Sequence, residues 1–401
     1  MKLSKFMCAA FAAAMVLVGC NKENETPVDD GSNGFKSCVL QLENVALTKL
    51  PSTDYISNNT AVTLNSFQVF FSDGTSLYQA YESDGTTVAA TYFDSDLTAT
   101  KQFHYLPHEV NEVLVIGNFQ GEINLGTVGE GKKYSLSRQE LRAQINQLKI
   151  EEQQDPKNLK LFGVDQALSE TTDHTGQGHG NVVYAANVTL KPAVARFEIT
   201  GFKYDASDGS GSRLYDNVKI QQLTARTYFE KATVAISGES ALTVTGEQLD
   251  AFNEYSYTIT DGNAPSYFNA VADKGWFSDG LNITLEDEPW EVGNTNPTTA
   301  APYTTVDPAN KLYSYHVFPG QPPQFLAKIL ANSSGADVPL YLKTSSLRTQ
   351  DGILNGAQVV AGNIYRLSFN FTDASFEQPE KCVDLTVSVA QWSVNILTPI
   401  F

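Results

Sequence analysis

Cysteine is scarce in this chain, positive charge is in deficit, and a second long apolar run is missing. Each shortage closes off a class of protein. Four cysteines occur in 401 residues, and they are Cys8, Cys20, Cys38 and Cys382. The first two lie in the N-terminal stretch and the others near opposite ends of the chain, so there is no disulfide framework. A single bridge between Cys38 and Cys382 stays open, because pairing depends on a Cα separation that sequence does not reveal. Lys and Arg total 27 against 45 Asp and Glu, for a net charge of -18, which argues against nucleic acid and against electrostatic docking on anionic lipid. No G-x-S-x-G, H-E-x-x-H, phosphate loop or paired C-x-x-C occurs. The chain is therefore read as a non-enzyme with no catalytic residues, no cofactor and no metal.

The scattered polar residues do not change that reading. His174 and His179 sit in a Gly-rich loop that offers a metal no scaffold. Asp94-Ser95-Asp96 and the Ser-Asp-Gly segments lack the ligand spacing of a calcium loop, and turn chemistry explains them better. His104, His108 and His316 are expected in packing or at the surface, and Arg196 as an exposed or ion-paired strand residue.

What the chain does have starts at its N-terminus. Lys2 and Lys5 precede an apolar run from Phe6 to Val18 that is too short to span a bilayer core of roughly 30 Å. Leu17-Val18-Gly19-Cys20 then matches the lipobox of bacterial lipoproteins, so residues 1–20 read as an export signal and Cys20 as the lipid-bearing first residue of the mature protein. Residues 21–36 are polar and aperiodic apart from Phe35, and read as a flexible tether. The mature chain is long enough for two domains, 37–191 and 192–401, with the boundary near Lys191-Pro192.

The first strand is expected at 38–47, with Leu40, Leu42, Val45 and Leu47 on its buried side. Ser72-Asp73-Gly74-Thr75 and Ser83-Asp84-Gly85-Thr86 are turn signals, since Asp-Gly supplies the positive φ that tight hairpins need. The unbroken apolar run at 113–119 predicts a strand covered on both faces. Ser137-Arg138-Gln139-Glu140 is a capping box that opens a helix carrying Leu141, Ile145 and Leu148 on one face and ending near Gln153, before Asp155-Pro156. Beyond residue 192, short strands punctuated by Gly, Asp, Asn and Pro predict an all-β sandwich, with 294–308 as a long surface loop. Near Ala390 the apolar side switches phase, from Val383, Leu385, Val387 and Val389 to Trp392, Val394 and Ile396. Such a switch means a bulge or two half-strands serving different surfaces.

Taken together, the lipobox at Cys20, the Ala-Val-Ala-Arg-Phe-Glu-Ile core within 188–202, Gly362-Asn363-Ile364-Tyr365-Arg366-Leu367 and the Val387-x-Val389-x-x-Trp392 pattern resemble the FimA-type fimbrilin family, the type V pilus proteins of Bacteroidales. The resemblance implies an all-β chain of two transthyretin-like β-sandwich domains, with one short helix in the first. It implies export to the cell surface as an outer-membrane lipoprotein precursor, and then proteolytic removal of the first strand, 37–49, which carries Val39, Leu40, Leu42, Val45 and Leu47. The emptied groove would receive the donor strand 383–396 of another pilin subunit, building a fimbrium that serves adhesion to a host or bacterial surface ligand. Family members commonly carry arginine at the cleavage position. This chain has none before Arg138, which leaves Lys36 or Lys49, and Lys49 ahead of Leu50-Pro51 suits a trypsin-like enzyme. The alternatives are a tip or anchor subunit, or a surface lipoprotein that binds a glycan or host protein without polymerising.

Overall fold

A computed structural model describes residues 34–395 apart from 44–61, 95–100, 146–147, 155–157, 173–181, 206–212, 230, 238–240, 248–276, 286–289, 292–312, 345, 350–351, 378–381 and 392–393. The first half runs β1 (Phe35–Glu43), β2 (Val62–Thr63), β3 (Ser66–Ser72), β4 (Ser76–Tyr78), β5 (Tyr92–Asp94), β6 (Lys101–Pro107), β7 (Glu112–Gly117) and β8 (Lys133–Ser137). Helix α1 (Arg138–Ile145) comes next, then β9 (Leu148–Lys149), β10 (Leu161–Asp165), β11 (Ser169–Glu170), β12 (Val182–Thr189) and β13 (Lys191–Pro192).

These strands form a sheet in the order β11-β12-β1-β6 and a second in the order β13-β10-β7-β3-β4-β8, with β5 on β3. Aromatic residues hold the two face to face: the Phe103 ring of β6 meets Phe71 of β3 edge-on at 4.8 Å and Phe93 of β5 at 6.4 Å. Every residue of β7 is buried, Val113 to Ile116 as their apolar run requires and Glu112 through its ion pair with Arg138 at 2.6 Å. Both Asp-Gly turns form. Asp73 accepts the backbone N–H of Thr75 and Ser76, and Asp84 those of Thr86 and Thr87, while Gly74 and Gly85 take φ of 90° and 70°.

The second half runs β14 (Ala195–Asp205), β15 (Asn217–Arg226), β16 (Lys231–Ser237), β17 (Ala241–Glu247), β18 (Phe277–Leu285), β19 (Trp290–Glu291), β20 (Ser314–Val317), β21 (Gln324–Ser333) and β22 (Ala336–Thr344). It closes with β23 (Arg348–Thr349), β24 (Gly352–Ile353), β25 (Asn363–Thr372), the short helix α2 (Asp373–Glu377), β26 (Cys382–Gln391) and β27 (Val394–Asn395). The principal path is β18-β15-β21-β22-β26-β25-β14-β19. It folds over on itself, because Phe325 of β21 meets Phe197 of β14 at 6.3 Å and Phe369 of β25 edge-on at 6.0 Å. The chain is an all-β sandwich protein.

Between Thr189 and Ala195 the backbone changes sheets: β12 lies beside β1, β13 pairs β10, and β14 lies beside β25. The two halves are stitched together there. Strand β9 pairs β16 at Leu148↔Ala232. The Gln154 amide donates to the His316 carbonyl at 3.0 Å and accepts its N–H at 3.2 Å, copying a strand neighbour with a side chain.

Two expectations shift. The capping box forms, with Ser137 N–H donating to Glu140 at 2.8 Å and Glu140 N–H to Ser137 Oγ at 3.2 Å. However, α1 stops at Ile145 rather than near Gln153, because Leu148 is drawn into pairing with Ala232 and Ile150–Gln153 tightens into a 3-10 turn. A second helix, α2, also lies outside the first half. Residues 286–289 and 294–308 are outside the described residues.

Candidate functional site

Strand β1 occupies the middle of its sheet, not an edge. On one side it runs parallel to β12, from Lys36↔Val182 to Glu43↔Thr189, and on the other antiparallel to β6, from Phe35↔Pro107 to Leu40↔Lys101. A register shift between Lys36 and Cys38 interrupts the second ladder, where Tyr105 takes a positive φ of 56°. Cys38, Val39 and Leu40 are fully or almost fully buried. Cys38 and Leu40 belong to the shared core, with Leu42 packed against it. A parallel neighbour cannot be reached by a hairpin, so β1 is held in place by sheet pairing and packing rather than by a tight connection to either neighbour.

Polar contacts fix the start of the strand. Lys36 is only 5% exposed; its ammonium donates to the Val110 carbonyl and lies 4.8 Å from the centre of the Tyr184 ring. Burial pushes its pKa down, against the opposing pull of Cys38 and Glu109. Ser37 Oγ is 3.0 Å from His104 Nδ1. Phe35 is held by Lys132, whose ammonium sits 4.1 Å from the Phe35 ring centre and 4.3 Å from that of Tyr81, and donates to the Tyr105 carbonyl at 2.9 Å. The Cys38 thiol is free, and burial raises its pKa to about 12. The bridge to Cys382 left open by the sequence is not formed.

The strand therefore begins at Phe35 rather than at Cys38, and Phe35 and Lys36, expected in the tether, are its first residues. Their partners Val110, Lys132 and Tyr81 are distant in sequence. The one local signal was a lone aromatic beside a lysine at the end of a polar segment.

The C-terminal segment is paired at home. Strand β26 runs antiparallel to β25 from Asn363↔Gln391 to Asn370↔Asp384, which sets Leu385, Val387 and Val389 opposite Phe369, Leu367 and Tyr365. Val383 lies opposite Thr344 of β22. After residues 392–393, β27 runs parallel to β2 at Val62↔Val394. The phase switch near Ala390 thus falls where the segment leaves one sheet for another. Cys20, Val45, Leu47, Lys49, Trp392, Ile396, His174 and His179 lie outside the described residues.

A second polar constellation gathers around Arg196, which is ion-paired, one of the two expected states, and buried rather than exposed. Arg196 and Glu198, two apart on β14 and so on one face, are both buried and paired at 2.8 Å. Register sets His316 opposite Arg196 and Arg366 opposite Glu198. His316 Nδ1 donates to the Gln153 carbonyl, which fixes its tautomer, and Nε2 faces Arg196 Nη1 at 3.5 Å. Burial, reinforced by the Arg196 charge, lowers the His316 pKa to about 3. The cluster ties β20, β14 and β25 to the first half of the chain. Among the described residues, no group of three His, Cys, Asp or Glu is placed to hold a metal ion, and no helix is long and apolar enough to cross a membrane.

No family model and no curated protein matches the chain. Solved structures do. A candidate cell adhesion protein from Parabacteroides distasonis is similar at 13% identity and a TM-score of 0.51, over 91% of this chain and 99% of that one. A fimbrilin from Porphyromonas gingivalis gives 12% identity and a TM-score of 0.45, over 89% of this chain and 98% of that one. The Parabacteroides likeness extends over almost the whole of both chains and shows a shared fold.

Proposed function

We propose that the chain is a fimbrial subunit of the cell surface, exported as a lipoprotein through Cys20 and polymerised by exchanging β1 for the C-terminal strand of a neighbour. The observation that carries this reading is the central position of β1. Its removal would strand the hydrogen-bonding edges of β12 and β6 and open a trough over the core. Unpaired strand edges and exposed apolar surface are unfavourable until another strand covers them, and strand addition is the established physical answer to that state.

Lys36 is sealed inside the sheet, which leaves Lys49 as the cleavage position in this reading. The donor is 383–396. Read backwards, its apolar spacing reproduces that of β1: Trp392, Val389, Val387 and Leu385 match Phe35, Cys38, Leu40 and Leu42. The step of three falls in both at the irregular point, the register shift after Lys36 and the phase switch near Ala390. The Parabacteroides structure that shares the fold is of a candidate cell adhesion protein, which supports the same reading. The partners are other pilin subunits, and the two domains divide after residue 191, the first of them opening with β1 at Phe35.

Limited trypsin treatment of residues 21–401, followed by N-terminal sequencing and unboiled SDS electrophoresis, tests the reading. The expected result is a new N-terminus at Leu50 together with ladders of regular spacing. A cleaved protein that stays monomeric overturns polymerisation by strand exchange.

A further inference from the structure

A cleft of about 650 Å³ opens between the start of β3, the segment following β7, α1 with β9, and the approach to β10. Its volume falls within the roughly 300–1,000 Å³ of small-molecule sites. None of its residues belongs to β1, β26 or β27, so strand exchange gives it no role.

The cleft is held in shape by Asn118, which has a positive φ of 62°. Its side chain accepts the Asn65 N–H at 2.7 Å and donates to the Leu159 carbonyl at 2.8 Å, and its own carbonyl accepts from Lys160. Three chain segments are thereby locked together. Phe119 follows at once, half-buried, its ring braced edge-to-face by Phe162 at 5.6 Å with the Lys160 ammonium 5.3 Å from its centre.

The chemistry of the wall is distinctive. Among the described residues that line it, Asn65, Asn118, Gln120, Gln144 and Asn158 carry primary amides, those of Gln120 and Gln144 at exposed positions, and a primary amide both donates and accepts hydrogen bonds. Sugar hydroxyls do the same, so adjacent hydroxyls on a ring can each pair with one amide. Among the described residues lining the cleft, the charged ones are Lys160 and Glu152, one of each sign, and Lys160 is already engaged by the Asn118 carbonyl and the Phe119 ring. An anion gains no net attraction from these two. A wholly apolar ligand would strip the amides of water without replacing their bonds. A ligand with a polar rim and an apolar ring face satisfies both, since C–H groups stack well on the negative face of an aromatic ring.

We propose that this cleft binds a short neutral oligosaccharide, with a sugar ring against Phe119 and its hydroxyls on the exposed amides of Gln120 and Gln144. Saturation-transfer NMR on residues 21–401 with lactose, maltose, mannobiose and chitobiose, and with sialyllactose as the anionic comparator, tests it. At least one neutral sugar should take up saturation through its ring C–H protons. The double variant Gln120→Ala/Gln144→Ala, at two exposed positions, should bind about tenfold more weakly, as expected for two lost hydrogen bonds. Phe119→Leu should weaken binding while circular dichroism verifies the fold. No transfer to any neutral sugar, transfer to sialyllactose alone, or unchanged binding in the double variant would each overturn the proposal. Ladder formation after trypsin should be unaffected by these variants, so failure here is separable from failure of the fimbrial reading.

Discussion

The Lys132 ammonium lies 4.1 Å from the centre of the Phe35 ring and closes a cage whose other rings belong to Tyr81 and Tyr105. Through it the first residue of β1 is fastened to residues far along the chain. Lys132→Met removes the cation and should cost about 1–2 kcal/mol, the range of a partly desolvated cation–π contact. Hydrogen exchange at the amides of β1 should speed up while that of β14 stays unchanged; equal protection of β1 in both proteins would show that the cage does not hold it.

The Cys38 thiol reports on the same strand. Buried and with a pKa near 12, it should resist iodoacetamide at pH 8 in the intact protein, because the thiolate is the reactive form. In a Cys382→Ala background, cleavage after Lys49 and departure of β1 should make Cys38 label at the rate of an exposed thiol. Fast labelling before cleavage would mean that β1 is not seated as described.

Glu198 neutralises two arginines within the second half, lying 2.8 Å from Arg196 and 3.4 Å from Arg366. Glu198→Gln leaves both guanidinium groups without their counter-charge, and removing one partner of a buried pair costs about 3–5 kcal/mol. Urea unfolding should show the loss as a lower midpoint. An unchanged midpoint would contradict the buried pairing.

His316 gives a pH dependence of defined sign. It is neutral in the folded chain, its pKa lowered to about 3 from 6.5 by burial and by the Arg196 charge, so below pH 6.5 the unfolded chain takes up a proton that the folded chain refuses. Stability should fall as pH drops through this window, by about 2–3 kcal/mol between pH 6.5 and 4.5 at roughly 1.4 kcal/mol per unit. His316→Gln should flatten that part of the profile, and an unchanged slope would assign it to other groups.

Local chemistry was legible in the sequence wherever a residue's partners are its near neighbours. The two Asp-Gly turns and the capping box at Ser137 depend on contacts within three residues, and all formed. The end of α1 was not legible, because Leu148 has apolar spacing suited to the helix and its actual partner, Ala232, is supplied by tertiary structure. Phe35 and Lys36 were read as tether for the same reason. Arg196 and Glu198 left a trace, a charge pair two apart in an otherwise apolar strand, but only the pairing of β14 with β20 and β25 brings His316 and Arg366 to it. The phase switch near Ala390 was readable in full, and its meaning required seeing β26 and β27 in different sheets.

In the uncleaved chain β1 fills its own place between β12 and β6, and β26 and β27 pair with β25 and β2. Under the proposed assembly, mixing uncleaved subunits at high concentration should give no ladders, and ladders without cleavage would contradict it.

In the proposed assembly, the groove vacated by β1 accepts the segment 383–396. A synthetic peptide of that sequence, carrying a fluorophore at its N-terminus, can be titrated by anisotropy against the full chain before and after cleavage at Lys49. Binding to the cleaved protein alone, with suppression of ladders and loss on replacing Trp392 and Val389 by Asp, is the expected result. Equal binding to intact and cleaved protein, or ladders that persist at saturating peptide, would contradict it.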